Sequence, residues 1–404
     1  MKILITADWH IGRKLYDEDL QPDLEHFFDW LLGYIRKEEI DQLLVAGDIF
    51  DQANPSNEAA RTYYHFLSRL SKTGCRAVIT SGNHDSPSFI EVPRELLDSM
   101  DIKVIGLFPG LERVDEILLP LRDRAGQVKA ALAAIPFLHD RYIRQIGEGL
   151  GQREIQQKIN DGLRSILSAI GDGLKRKFPS VPRLAMAHLH AQGAHLGEAE
   201  RDIQIGKLDG LPLDDIDHFD YVGLGHIHSG MTLRRNRIKY TGSPISLTFG
   251  ENTYPHQITR IDIRDGELSV TYPDIPQLRT LHRISGTWDS VRTAIENMAA
   301  SSGKVPDLVD VEVLVEEPDQ ALRGRLDELA DEMQKKGLDL TQARITLTRK
   351  TGMVHREQHV SVNDLKPTSV FQSMIEDRSY DEETRTEMMA IFHEVLAKVT
   401  QNEA

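Results

Sequence analysis

Ile3-Leu4-Ile5-Thr6-Ala7-Asp8-Trp9-His10 decides how this chain reads. A short, mostly apolar run ends in an Asp and a His two positions apart. In an extended segment, residues two apart point to the same side, so Asp8 and His10 can share one ion. Gly47-Asp48 follows the apolar run Leu43–Ala46 in the same way, and Gly82-Asn83-His84-Asp85 follows Ala77–Thr80. His188 closes Leu184–Ala187, and Gly225-His226-Ile227-His228 follows Tyr221–Leu224. One such fragment means little, because an Asp after a strand also caps helices and a lone His is more often structural. The whole series supplies carboxylate, amide and imidazole donors enough for two metal ions side by side, the arrangement that phosphoester hydrolysis uses.

A carboxylate such as Asp48 can bridge two cations, one oxygen for each. The donors then sort into Asp8, His10, Asp48 and His228 around one ion, and Asp48, Asn83, His188 and His226 around the other. Mixed imidazole and carboxylate ligation suits Mn²⁺, Fe or Zn better than Mg²⁺. The absence of thiolate ligands weakens a structural zinc reading. His84, beside Asn83, is free to point at substrate rather than metal. His190 lies two residues beyond His188, and on spacing alone either could ligate.

Around these motifs the first half alternates strand and helix. Strands are expected at Ile3–Ala7, Leu43–Ala46 and Ala77–Thr80, with helices at Leu24–Glu38 and Glu58–Ser71. That order gives a sheet flanked by helices, with reactive residues beyond the strands' carboxyl ends. From about Lys103 the pattern becomes β-rich: Val114–Leu119, Val128–Ile135, Leu184–Ala187 and Tyr221–Leu224, interrupted by a helix over Glu154–Lys175. Hairpins are expected over Thr232–Thr241 and over Gln257–Tyr272, the latter turning at Asp265-Gly266. A two-sheet α/β sandwich with helices outside follows.

Past Tyr272-Pro273-Asp274-Ile275-Pro276 the motifs stop. Strand Leu281–Ile284, helix Trp288–Ala300, strand Leu308–Val315, helix Gln320–Lys335 and strand Ala343–Thr348 then read as a small α+β domain. A polar stretch, Thr351–Val360, precedes two amphipathic helices around Thr368–Glu376 and Asp381–Val399. Residues 1–275, 276–350 and 351–404 are the expected divisions.

With 404 residues and a single cysteine, Cys75, no intramolecular disulfide is possible and a reducing compartment is expected. No stretch approaches a membrane span, and no secretory signal precedes the first strand, so a cytoplasmic, nucleoid-associated protein without membrane contact is expected. The net charge of −15 argues against a non-specific nucleic-acid coat. A nucleic-acid substrate would need metal ions, a local basic surface or a partner to offset that field.

The motif series resembles the calcineurin-like metallophosphoesterase superfamily. Ala46-Gly47-Asp48-Ile49-Phe50-Asp51, Ile135-Pro136-Phe137-Leu138, Arg201-Asp202-Ile203-Gln204-Ile205-Gly206 and Gly242-Ser243-Pro244-Ile245 narrow the likeness to the bacterial SbcD family of nuclease subunits. The resemblance implies a metallophosphoesterase nuclease domain, a DNA-contacting capping domain and a C-terminal helix–loop–helix that binds an SbcC-like ATPase. It further implies a homodimer, two Mn²⁺ ions, His84 as the catalytic histidine and His188 as the ligand of the fourth motif. Exonuclease and endonuclease action on DNA ends, hairpins and single strands, in repair and recombination, follows from it as well. ATP dependence would belong to the partner, since no G-x-x-x-x-G-K-[ST] loop occurs here.

Asp51 is a possible substrate contact, as is the basic hairpin with Arg234, Arg235 and Arg237, although charged residues also protect exposed edges. His26, His65, His139, His218, His256 and His355 lie off the motifs and read as structural or solvent-facing. Trp9 reads as a packing anchor. A phosphatase of small phosphoesters or phosphoproteins is the alternative on the same fold, but it needs neither the extra domain nor the helix pair. A catalytically silent scaffold is the third reading, and it has no need of a full ligand set.

Overall fold

The computed structural model describes residues 1–139, 152–194, 211–234, 237–301, 303–319 and 321–348, and beyond these Met389 and Phe392. Apart from those two residues, the expected terminal helices, Arg235 and the Arg201–Gly206 motif lie outside the described residues. Two six-stranded sheets carry the first part of the chain. In the first, Lys2–Thr6, Gln42–Ala46, Arg76–Thr80 and Ile102–Ile105 run parallel. Thr259–Arg264 joins Lys2–Thr6 antiparallel, and Glu267–Thr271 closes that edge as the hairpin turning at Asp265-Gly266. In the second sheet, Ile238–Tyr240, Tyr221–Gly225, Arg183–His188 and Val128–Ile135 are parallel neighbours. Antiparallel edges are added by Met231–Arg234 and Leu118–Arg122.

Alternation along the strands explains why the sheets stack. Ile3 and Ile5 point into a core shared with Ala131, Ala133, Met186 and Val222 of the second sheet. Leu4, between them, points the other way, into a core built with Leu24, Phe28, Leu31, Phe66 and Leu70. Those residues lie on helices Gln21–Glu38 and Asn57–Ser71. A strand buried on both faces reads as a continuous apolar run, as this one does. Trp9 packs edge-on against Phe28 and Phe66, with centroids 5.0 and 5.2 Å away, and its indole N–H donates to Thr6 Oγ1. It is a packing anchor, as its sequence setting suggested.

Two expected boundaries are corrected. Val114–Leu119 is not a strand: Leu111–Ile117 is a 3₁₀ helix and the strand begins at Leu118. Val114 and Ile117, three apart, are its buried pair, which suits three residues per turn. The last strand runs Leu338–Leu347 rather than from Ala343, because pairing with Asp307–Val315 carries it through polar Asp339, Thr341 and Gln342.

That pairing belongs to a third, all-parallel sheet of Leu281–Gly286, Asp307–Val315 and Leu338–Leu347. Helices Trp288–Asn297 and Leu322–Gln334 cover it, and Val291, Ile295, Leu326, Leu329 and Met333 meet Val309, Val311 and Val313 in a core of their own. Asn252 donates from its side chain to the carbonyl of Leu281, joining the loops above the first two sheets to this sheet. Among the described residues, no helix is long and apolar enough to cross a membrane.

Candidate metal centre

Every candidate donor sits at the carboxyl end of a parallel strand. Asp8 and His10 follow Lys2–Thr6, Asp48 follows Gln42–Ala46, and Asn83 and His84 follow Arg76–Thr80. His188 ends Arg183–His188, and His226 and His228 follow Tyr221–Gly225. The two sheets therefore meet at one rim with their donors facing each other. Strand pairing persists past the strand ends: Asp8 N–H donates to Gly47 O at 3.1 Å and His10 N–H to Asp48 O at 3.0 Å.

The backbone bends sharply to aim these groups. Asp8, His10 and Asp48 have φ of 53°, 44° and 48°, and His226 has φ of 101°. Such left-handed conformations cost non-glycine residues on the order of 1–3 kcal/mol each and cluster where function requires them. Glycines provide the clearance. A Cβ on Gly82 would lie 2.0 Å from Asp48 Oδ1, and one on Gly47 would lie 2.4 Å from His188 Nδ1. Gly47 also has φ of +80°, which a side chain rarely tolerates.

Among the described residues, two groups of donors can each hold one cation: His10, Asp48 and His84, and Asp8, Asp48 and His188. Asp48 is common to both. The expected sorting has Asp8 with His10 and leaves His84 out, whereas the spacing sets Asp8 beside His188 and His84 beside His10. Asn83 Oδ1 lies 2.9 Å from His188 Nε2 and 3.1 Å from His226 Nδ1. His228 packs against His10, ring centroids 4.9 Å apart.

The polar atoms are arranged as they would be around cations. Asp8 Oδ1 accepts from the His226 N–H, but its Oδ2 is buried without a hydrogen bond among the described residues. Among the described residues, neither nitrogen of His10 has a hydrogen-bond partner; the carboxylate oxygens nearest them are 3.4 Å (Asp51) and 3.6 Å (Asp48) away. His188 Nδ1 lies 3.0 Å from the Ala46 carbonyl, which can only accept, so that nitrogen carries a proton. Its Nε2 then turns toward Asp48 Oδ2 at 3.2 Å and Asn83 Oδ1, two acceptors, so only a second proton or a cation satisfies all three. Buried polar atoms are seldom left unpaired, and here they converge. The donor set fits divalent metal ions.

Protonation follows the same logic. Burial pushes the Asp8 carboxyl up to about 7 against the pull of His188 and His228. Burial lowers His10 to about 4 and His226 to about 3, the second helped by the charge of His188. For His188, burial is outweighed by the Asp48 carboxylate and the pKa rises to about 9. Burial would likewise raise Asp48, but the His188 ring holds it well below the usual carboxylate range. A cation between these groups would take over the work of that proton.

His84 is turned by its own backbone contacts. Its N–H donates to Asp48 Oδ1 at 2.9 Å, and its Nδ1 lies 2.8 Å from the Asp51 carbonyl, leaving Nε2 as the exchangeable nitrogen. The Asp51 carboxylate meets Arg13 at 3.2 Å. His190 belongs to neither donor group; its ring is half-buried, 6.3 Å from that of His226. Arg234 pairs with Asp214 and Asp217, and Arg237 with Asp217, on the edge of the second sheet and outside the donor groups. His256 is structural, held between Ser246 and the Ser243 carbonyl.

Sequence reading gave no role to two carboxylates, Asp85 and Glu251. Asp85 is buried and accepts from the N–H groups of Ile49, Phe50 and Gly82, clamping the Asp48 loop onto the Asn83 loop. Glu251 accepts from His228. The polar turn after Gly82 hinted at the first; nothing local marked the second.

A family model described as calcineurin-like phosphoesterase matches residues 1–230, and one described as type 5 capsule protein repressor C-terminal domain matches residues 277–379. The SbcD subunit of the Escherichia coli (strain K12) nuclease SbcCD is 28% identical over 410 residues, 98% of this chain and 98% of the relative. The Rhodobacter capsulatus protein of that name is 34% identical over 74% of this chain and 76% of its own length. The Bacillus subtilis one is 30% identical over 66% and 67%.

Proposed function

The chain belongs to the calcineurin-like phosphoesterases and, within them, to the SbcD family of metal-dependent nucleases, and from that premise we propose that it cuts DNA phosphodiesters with two Mn²⁺ ions. One observation carries the reading: a single buried carboxylate, Asp48, is common to two donor groups. The proposed ligands are Asp8, His10, Asp48 and His228 for one ion and Asp48, Asn83, His188 and His226 for the other. When bound, the ions supply Lewis acidity, activating water and offsetting charge on the phosphoryl oxygens.

The chain's own groups do the rest. Hydrogen bonds to the Ala46 and Asp51 carbonyls hold Nδ1 of His188 and His84, so each ring works through Nε2. His84 Nε2 then donates a proton or a hydrogen bond to the leaving oxygen. Asp51 and the basic hairpin at Arg234, Arg235 and Arg237 are the proposed substrate contacts. The paired state of Arg234 and Arg237 means that DNA there must compete with Asp214 and Asp217. Activity on hairpin and blunt duplex DNA in Mn²⁺, against none on a nitrophenyl monoester, tests the substrate class.

His188, not His190, is expected to bind the second ion. His188→Ala should lower metal stoichiometry, while His190→Ala should leave it intact. Loss of an ion from the His190 variant alone reverses the assignment.

We further propose that residues 1–275 form the nuclease domain, 276–350 a DNA-contacting cap, and 351–404 a tether and helix pair that binds an SbcC-like ATPase in DNA repair and recombination, the whole acting as a homodimer. Contacts divide the chain after Thr348, close to the proposed tether. The second helix repeats Met388, Phe392, Val395, Leu396 and Val399 at helical spacing, a stripe suited to docking in a groove. Truncation after Lys350 should spare Mn²⁺-dependent cleavage of single-stranded DNA and abolish both co-purification with the ATPase and ATP-stimulated duplex degradation. Unfolding of the truncated chain, or its continued capture by the ATPase, contradicts the tether.

A further inference from the structure

Behind His228 lies a buried acid that no sequence motif marked. Glu251 is 6% exposed and sits in the 3₁₀ turn Phe249–Thr253. Its Oε1 lies 3.1 Å from His228 Nδ1 and accepts from the Thr248 hydroxyl at 3.2 Å. Its Oε2 accepts from the Leu247 backbone N–H at 2.9 Å. Both oxygens therefore face donors, and the ionised carboxylate satisfies each.

A carboxylate facing an imidazole nitrogen can only accept, so the His228 proton resides on Nδ1 and the lone pair on Nε2. Nε2 is across the ring from Glu251, and the ring packs against His10. We propose that Glu251 is a positioning residue of the metal centre, fixing the tautomer and ring angle of His228 so that Nε2 is the atom offered to the ion. This rests on His228 being a metal donor. Carboxylates behind metal-binding imidazoles commonly act this way, and losing one costs about 10–100-fold in metal affinity or activity.

The competing explanation is that Glu251 merely knits the loop Ser243–Thr253 together. The two accounts rank variants differently. In Glu251→Gln, one side-chain oxygen becomes NH₂. The Leu247 N–H is a fixed donor, so the remaining oxygen must face it, which turns the NH₂ toward His228 Nδ1. That nitrogen must then accept, the proton moves to Nε2, and the donor lone pair is lost. Glu251→Ala removes the bond but imposes no tautomer. Tautomer control thus makes the near-isosteric Gln the more damaging change, whereas loop packing makes it the milder one.

The test uses the full-length chain labelled with ¹⁵N-histidine, together with Mn²⁺ titration calorimetry. Wild-type protein without metal should show His228 protonated on Nδ1, and Glu251→Gln should show it on Nε2. Affinity at one of the two Mn²⁺ sites should fall by about 10–100-fold in Glu251→Gln, and by less in Glu251→Ala. A wild-type His228 carrying its proton on Nε2 overturns the proposal without any variant, and so does a larger affinity loss in Ala than in Gln. Metal-free melting of each variant identifies a change that only unfolds the loop, and a Gln variant that melts far below Ala also counts against tautomer control. His228→Ala separates the premise from the inference. If it binds both ions like wild type, the donor assignment falls; if it loses one while Glu251→Gln binds normally, only the positioning role falls.

Discussion

Asp48→Ala is expected to abolish cleavage and to lower metal content at both sites, a larger effect than loss of any other proposed ligand. Every other donor serves one group of atoms, while Asp48 enters both. Its two oxygens are already divided: Oδ1 accepts from the His84 N–H, and Oδ2 faces His188 Nε2 at 3.2 Å. Removing the carboxylate also strips His188 of the charge that lifts its pKa to about 9, so the metal-free ring should lose its extra proton. Truncating one partner of a buried pair typically costs about 3–5 kcal/mol when the other stays charged, and loss of that proton limits the damage. Asp48→Asn keeps the volume and an acceptor, so it separates loss of charge from loss of packing. Wild-type-like turnover of Asp48→Ala in Mn²⁺, or two ions still bound, would falsify the shared-ligand assignment.

His84→Ala is expected to divide chemistry from binding. Its backbone N–H, the group that touches Asp48, survives the substitution, so the donor geometry around Asp48 is kept. What disappears is Nε2, the atom proposed to serve the leaving oxygen. Acid–base groups contribute on the order of 10²–10⁴-fold, and the rate should drop by about that factor with metal occupancy and DNA affinity nearly unchanged. The spacing gives this experiment its edge, because His84 lies near enough to His10 and Asp48 to ligate. Marked loss of bound metal would move His84 from the acid–base role into the ligand shell.

The rim of donors was legible because each motif follows an apolar run, and a strand end fixes where such residues point. Trp9 was legible for the same reason: a large ring between two residues aimed at the rim must turn the other way, into the core. Asp85 and Glu251 were not. Asp85 acts on backbone groups 36 and 35 residues away, and Glu251 on a ring 23 residues back. Those contacts exist only once loops from different strands have been brought together. The 3₁₀ helix at Leu111–Ile117 was misread because its buried residues stand three apart in so short a segment that neither helical nor alternating period is distinct. The last strand's start was hidden by polar residues that backbone pairing tolerates.

The division of the donors between two sheets also governs when a newly made chain can acquire its centre. Asp8, Asp48 and Asn83 come from the first sheet, while His188, His226 and His228 come from the second. The bond from His226 to Asp8 closes a loop of 218 residues, and that from His188 to Asn83 one of 105. Long loops close late in folding. At synthesis rates of about 5–20 residues per second, the ribosome needs roughly 7–30 s after adding Asn83 to reach His226. A chain interrupted before His188 holds the carboxylates and lacks all three imidazoles opposite them. Products terminated before His188 therefore lack the whole imidazole half of the rim that the second sheet supplies.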